Sequence, residues 1–136
     1  MKKGFTILAV DTSCDDTSSA VTRDDRVLSN VISSQVEFHK EYGGVYPMLA
    51  KRKHQEFIDP AIQEALRRSR VSWKDVDALA LTIGPGLAPA LEVGVLEVKE
   101  LARQYEKPVI AVNHMEAHLL SSFARNSKSQ GAFSKI

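Results

Sequence analysis

The chain has 136 residues, 43% of them apolar and 26% charged, which is enough for one domain with a modest core. A net charge of +1 excludes the global basic field that marks many nucleic-acid binders. Cys14 is the one cysteine, which excludes an internal disulfide and fits a reducing cytosol.

The first residues, Met1-Lys2-Lys3-Gly4, are basic, but the apolar run from Phe5 ends at Val10 and meets Asp11. That is too short for a signal-peptide core or a membrane span, so a cytoplasmic protein is expected. Residues 5–12 are a β-rich run ending in a carboxylate, and residues 17–22 are a second. Asp24-Asp25 turns tightly into a third, residues 27–34, so the three read as an antiparallel meander. The glycines and proline of residues 41–47 predict a loop. Ala50, His54, Phe57, Ile58, Ala61, Ile62, Ala65 and Leu66 recur at helical spacing, with Pro60 expected to kink or break the helix near Asp59. Residues 76–82 read as a buried strand, Gly84-Pro85-Gly86 as a turn, and Leu87 to Ala102 as a second helix. Residues 109–112 are a fifth strand and 114–123 a third helix. Residues 124–136, rich in Ser, Lys, Gln and Gly, read as a linker or frayed tail after a lobe spanning 1–123.

The order β-β-β-α-β-α-β-α predicts an α/β fold, a five-stranded mixed sheet with helices on its faces. This is the layout of a ribonuclease H-like half-domain, the unit shared by actin-like ATPases. Two such units normally enclose a ligand cleft, and this chain supplies one. The basic clusters Lys51-Arg52-Lys53 and Arg67-Arg68-Ser69-Arg70 read as solvated helix faces.

Three segments carry chemistry. Asp11-Thr12-Ser13-Cys14-Asp15-Asp16-Thr17 caps the first strand; its hydroxyls and amides suit a phosphate, or simply a turn that satisfies its own backbone. Gly84-Pro85-Gly86-Leu87 joins a strand to a helix, where backbone can approach an anion. It lacks the Lys-Ser/Thr pair of a P-loop, and a plain turn explains it equally well. In Asn113-His114-Met115-Glu116-Ala117-His118, the two imidazoles fall one helical turn apart on one face. That is a way to present two nitrogens to a metal ion, or two surface histidines. Glu116 lies about 200° around the helix from His114 and is no same-face general base, which speaks against a metalloprotease. Two ligands need a third; Asp11 and Asp16 are local options, and a missing domain is the better one. His39 and His54 fall in no such spacing.

In order, these three segments together with Ser34-Gln35, His39, residues 42–47, Leu49-Ala50 and His54 resemble the N-terminal half of one family. It is the tRNA threonylcarbamoyladenosine transferase family (TsaD, formerly glycoprotease), and the resemblance covers about residues 5–123. The resemblance implies an actin-like ATPase fold and a divalent metal, iron or zinc, held partly by His114 and His118. It implies transfer of threonylcarbamoyl from threonylcarbamoyl-AMP to N6 of the adenosine beside the tRNA anticodon, with an AMP- or ATP-type nucleotide site in the full-length parent. It places Asp11 at the reaction as a catalytic residue, with Thr12 and Ser13 facing the donor. It implies a TsaB-like paralogue docking near residues 50–66 and 87–102, a TsaE-like ATPase, and tRNA.

The chain departs from the family pattern in several places. Asp11 and Asp16 stand where glutamates are frequent, Pro89 where a glycine is, and Glu92, Glu97 and Glu100 make the second helix acidic. No glycine-rich nucleotide segment and no later acidic ligand follow. The expectation is therefore an inactive lobe when isolated, with an exposed apolar face that favours self-association. The alternative is a non-catalytic, TsaB-like scaffold, a group that generally lacks the histidine pair.

Overall fold

The structure is a computed structural model and describes residues 4–126. Strands β1 (Thr6–Asp11), β2 (Asp16–Arg23) and β3 (Arg26–Ser34) form the expected antiparallel meander. β4 (Ala78–Gly84) runs parallel to β1, and β5 (Val109–Asn113) parallel to β4, giving the order β3-β2-β1-β4-β5. This is the predicted five-stranded mixed sheet.

Alternation sorts each strand between two unlike faces. Leu8 pairs with Val21 and Leu79, and Val10 with Leu81, so these side chains share one face and are buried. Helix α2 (Pro47–Ser69) covers that face over β2 and β3, and α3 (Ala88–Tyr105) covers it over β4. Ile58, Ile62 and Leu66 of α2 and Val93 and Val98 of α3 complete the core. At about 25 cal/mol per Å² of apolar surface, burying each such side chain contributes roughly 1.5–3 kcal/mol. The opposite face carries small residues, among them Ala9, Ser18, Ala20 and Ala80, and a groove runs along it.

Two local expectations are corrected. Residues 41–47 are not all loop: α1 (Val36–His39) passes into a 3-10 turn at Lys40–Tyr42 before α2 begins at Pro47. The buried His39 ring organises this stretch, its Nδ1 accepting from the Tyr46 amide at 3.0 Å. Nor does Pro60 end its helix, because α2 runs on to Ser69. Proline gives the Glu56 carbonyl no N–H, but Pro60 and Glu56 are both exposed, so that carbonyl lies on the solvent side of the helix.

The last helix, α4 (His114–Leu120), ends in a 3-10 turn at Ser121–Phe123. Beyond it the chain does not fray at once. Arg125 donates its amide to the Asp25 carbonyl and accepts from the Val27 amide, an isolated bridge on the β3 edge. The segment from α4 to Arg125 thus spans from the β5 edge of the sheet to the β3 edge. The rest of the predicted tail, 127–136, lies outside the described residues. Among the described residues no helix is long and apolar enough to cross a membrane.

Candidate metal centre

β1, β4 and β5 are neighbours in the sheet and point the same way, so their C-terminal ends emerge together. In open α/β sheets that edge is where ligands bind. Here it gathers Asp11 from β1, Thr82 from β4 and His114 from the residue after β5.

The Asp11 carboxylate accepts four hydrogen bonds. Oδ1 takes the Ser13 amide at 2.8 Å and the Ser13 hydroxyl at 2.7 Å; Oδ2 takes the Thr82 hydroxyl at 2.7 Å and faces His114 Nδ1 at 3.1 Å. Burial pushes this carboxyl upward, but the bonds from Ser13, Thr82 and His114 outweigh it and hold it below the usual carboxylate range.

His114 opens α4, whose start is fixed by Asn113: its Oδ1 accepts from the Met115 and Glu116 amides. One turn later His118 falls on the same face, as the spacing predicts. The two Nε2 atoms are 2.9 Å apart and the rings stand at 84° to each other. In a tetrahedral site with bonds of about 2.0–2.1 Å, two ligand nitrogens sit roughly 3.3 Å apart, a few tenths of an ångström from the spacing seen here. The two nitrogens are thus near enough to hydrogen-bond to each other or, with a small turn of either ring, to reach one ion. Among the described residues no group of three His, Cys, Asp or Glu side chains converges.

The loop after β1 is held firmly from behind. Thr12 lies on its covered side, fully buried, and its hydroxyl donates to the Ala90 carbonyl of α3 at 2.8 Å. Gly94 makes room for it, since a Cβ there would sit 2.7 Å from Thr12 Oγ1. Gly86 passes close to the same loop: its Cβ would lie 2.5 Å from the Ser13 carbonyl oxygen, to which the Leu87 amide donates. The Gly84-Pro85-Gly86-Leu87 turn is thus a buttress for the loop, with a cis peptide at Gly84–Pro85. From α2, His54 accepts from the Thr17 hydroxyl at 2.7 Å and donates to the Cys14 carbonyl at 2.8 Å. Cys14 itself is exposed, and burial together with Asp15 pushes its thiol up, away from a nucleophilic thiolate.

The groove has a volume of about 710 Å³ and brings Asp11, Ser13, Cys14, Asp16, His114 and His118 together. Met115, Leu119, Leu120 and Phe123 leave an apolar stripe exposed along the last helix and turn.

Residues 26–131 match the family described as TsaD, tRNA N6-adenosine threonylcarbamoyltransferase. The chain belongs to this family. A threonylcarbamoyltransferase of Clostridium kluyveri is 48% identical over 124 residues, which are 90% of this chain and 36% of that protein. One from Trichlorobacter lovleyi is 51% identical over 118 residues, 86% of this chain and 34% of the relative. The chain thus spans about a third of the length of the curated threonylcarbamoyltransferases it matches. Among solved structures, a Pseudomonas aeruginosa protein described as similar to the peptidase YeaZ superposes with a TM-score of 0.64 at 26% identity, over 80% of this chain and 43% of that one. RuvC of T. thermophilus, solved with a Holliday junction substrate, superposes at 0.53 and 16% identity over 88% and 70%. The RuvC likeness concerns the fold alone and fits the ribonuclease H-like half-domain.

Sequence reading missed Thr82 and His54. Thr82 had a signal, because it continues the alternation of β4 on the face of Ala80, beside Asp11. His54 had another: a polar residue on the apolar stripe of α2 must find partners inside the protein.

Proposed function

We propose that this chain is the metal-holding lobe of a tRNA-modifying transferase. The whole protein would move threonylcarbamoyl from threonylcarbamoyl-AMP to N6 of the adenosine beside the anticodon, in the cytoplasm. The observation that carries the reading is the pair of nitrogens, His114 Nε2 and His118 Nε2, 2.9 Å apart at a groove in a chain of this family. When bound, an iron or zinc ion supplies a Lewis acid for the negative charge that grows on the transferred carbonyl oxygen. His114 and His118 would hold the ion. Asp11 and Ser13 hold the His114 ring in place, and Thr12 anchors their loop to α3. Ser13 and the exposed Cys14 and Asp16 line the groove where the donor would lie. A third ligand would come from beyond the described residues, among which no group of three possible ligands converges.

In a protein carrying this lobe, His114→Ala and His118→Ala each lower N6 modification of a tRNA transcript by about a hundredfold or more, since even residues behind metal ligands are worth ten- to hundredfold. Full activity in both variants removes the metal reading.

A second reading, a non-catalytic TsaB-like scaffold, is favoured by the likeness to the YeaZ-related Pseudomonas protein. It predicts a metal-free chain that binds a separate full-length transferase. In the first reading that same class of paralogue is the partner, with a TsaE-like ATPase completing the assembly. The exposed apolar stripe on α4 supports a protein contact in either case, self-association included.

A further inference from the structure

We infer that Asp11 is a positioning residue: its carboxylate sets the tautomer of His114, so that the Nε2 lone pair is turned into the groove beside His118. The inference rests on the reading above, in which the two histidines hold a metal, and it assigns to Asp11 a task other than acid–base chemistry on the substrate.

A carboxylate only accepts hydrogen bonds, so the 3.1 Å contact between Asp11 Oδ2 and His114 Nδ1 requires the proton on Nδ1. A second acceptor asks for the same proton. Ser13 Oγ lies 3.1 Å from His114 Nδ1, and its own hydrogen already goes to Asp11 Oδ1. What Ser13 offers His114 is therefore a lone pair. With Nδ1 protonated, Nε2 of neutral His114 is bare, as a metal ligand must be.

The two rings are not equivalent. With the His114 proton on Nδ1, its Nε2 accepts from His118 Nε2 across 2.9 Å. Among the described residues nothing bonds His118 Nδ1, so His118 is free to move its proton there when a metal takes Nε2. His114 is preset and His118 adapts. Asp11, meanwhile, has no lone pair left for a substrate proton. A carboxylate offers about four acceptor sites, and Ser13 N, Ser13 Oγ, Thr82 Oγ1 and His114 Nδ1 use them all.

Asp11→Asn tests this with almost no change of shape. The two donors of Ser13 keep the amide oxygen on their side, so the NH2 group faces Thr82 Oγ1 and His114 Nδ1. It donates to Nδ1 and drives the His114 proton to Nε2, the tautomer reversal that the same substitution causes beneath a catalytic histidine. Imidazole ¹⁵N spectra of the metal-free chain at about pH 8, where an ordinary histidine is neutral, read the result directly. The wild type shows His114 protonated at Nδ1, Asp11→Asn shows it protonated at Nε2, and Asp11→Glu restores the wild-type pattern. Zinc titration of the three proteins follows suit, with affinity about ten- to hundredfold weaker in Asp11→Asn and recovered in Asp11→Glu.

A wild-type His114 protonated at Nε2 overturns the inference. So does an Asn variant with an unchanged tautomer, or one whose tautomer reverses while zinc affinity holds. If the spectra behave as expected and the wild type takes up no zinc, the metal reading fails and the carboxylate–histidine assignment stands.

Discussion

His54 and His114 both brace the loop that follows β1, one from the covered side of the sheet and one from the open side. His54 is fully buried, and each of its ring nitrogens is committed, Nδ1 to the Thr17 hydroxyl and Nε2 to the Cys14 carbonyl. His114 is half-buried; its Nδ1 is committed to Asp11 and Ser13, and its Nε2 meets only the exposed His118 ring. A histidine with two internal partners is a structural strut. One whose second nitrogen meets only another exposed imidazole keeps that atom for a ligand. The sheet separates the two tasks, placing the strut under the loop and the ligand above it.

Removing the strut should have the largest effect on the fold. His54→Ala leaves the Thr17 hydroxyl and the Cys14 carbonyl without their partner and opens a cavity beneath the loop. Unpaired buried groups and lost packing together cost about 2–4 kcal/mol, which a urea unfolding curve reads as a lower midpoint with an unchanged slope. A loss below about 1 kcal/mol would dissolve the distinction between the two histidines.

The same burial gives the strut a pH dependence of known sign. Burial lowers the His54 pKa below its ordinary 6.5, against the Cys14 carbonyl and the charges of Asp11, Asp15 and Asp16, which raise it. The unfolded chain therefore binds this proton more readily than the folded one. The contribution of His54 is present in full above about pH 6.5 and is lost as pH falls through the lower folded value. Urea midpoints measured down from pH 7.5 to about pH 5 should fall more steeply for the wild type than for His54→Ala. Parallel curves would place the acid sensitivity elsewhere.

Much of this arrangement is legible in the chain. Period-two runs and helical spacing give the strand and helix order, and four-residue spacing puts His114 and His118 on one helix face. What the sequence hides is separation. Asp11 and His114 meet across 103 positions because β4 enters the sheet between β1 and β5, and nothing local in either segment names the other. Thr12 is the instructive neighbour. Read as one motif, Asp11, Thr12 and Ser13 all seem to face a ligand; the alternation of β1 carries on past Asp11 and turns Thr12 to the α3 side. Pro60 misleads for a related reason, since its effect depends on which side of α2 it occupies.

The smallest expected effect is on the open side. His118 is exposed, and its imidazole meets the His114 ring, through Nε2 at 2.9 Å and an edge-to-face approach of 4.5 Å. Among the described residues no backbone group depends on its imidazole, so His118→Ala should change stability by no more than about 0.5 kcal/mol, within the range of ordinary surface substitutions. The unfolding curve and the zinc titration then separate cleanly. In His54→Ala the fold weakens, whereas in His118→Ala the fold holds and zinc affinity collapses. A loss of stability in His118→Ala approaching that of His54→Ala would make the pair on α4 a second strut and leave the groove without a ligand face.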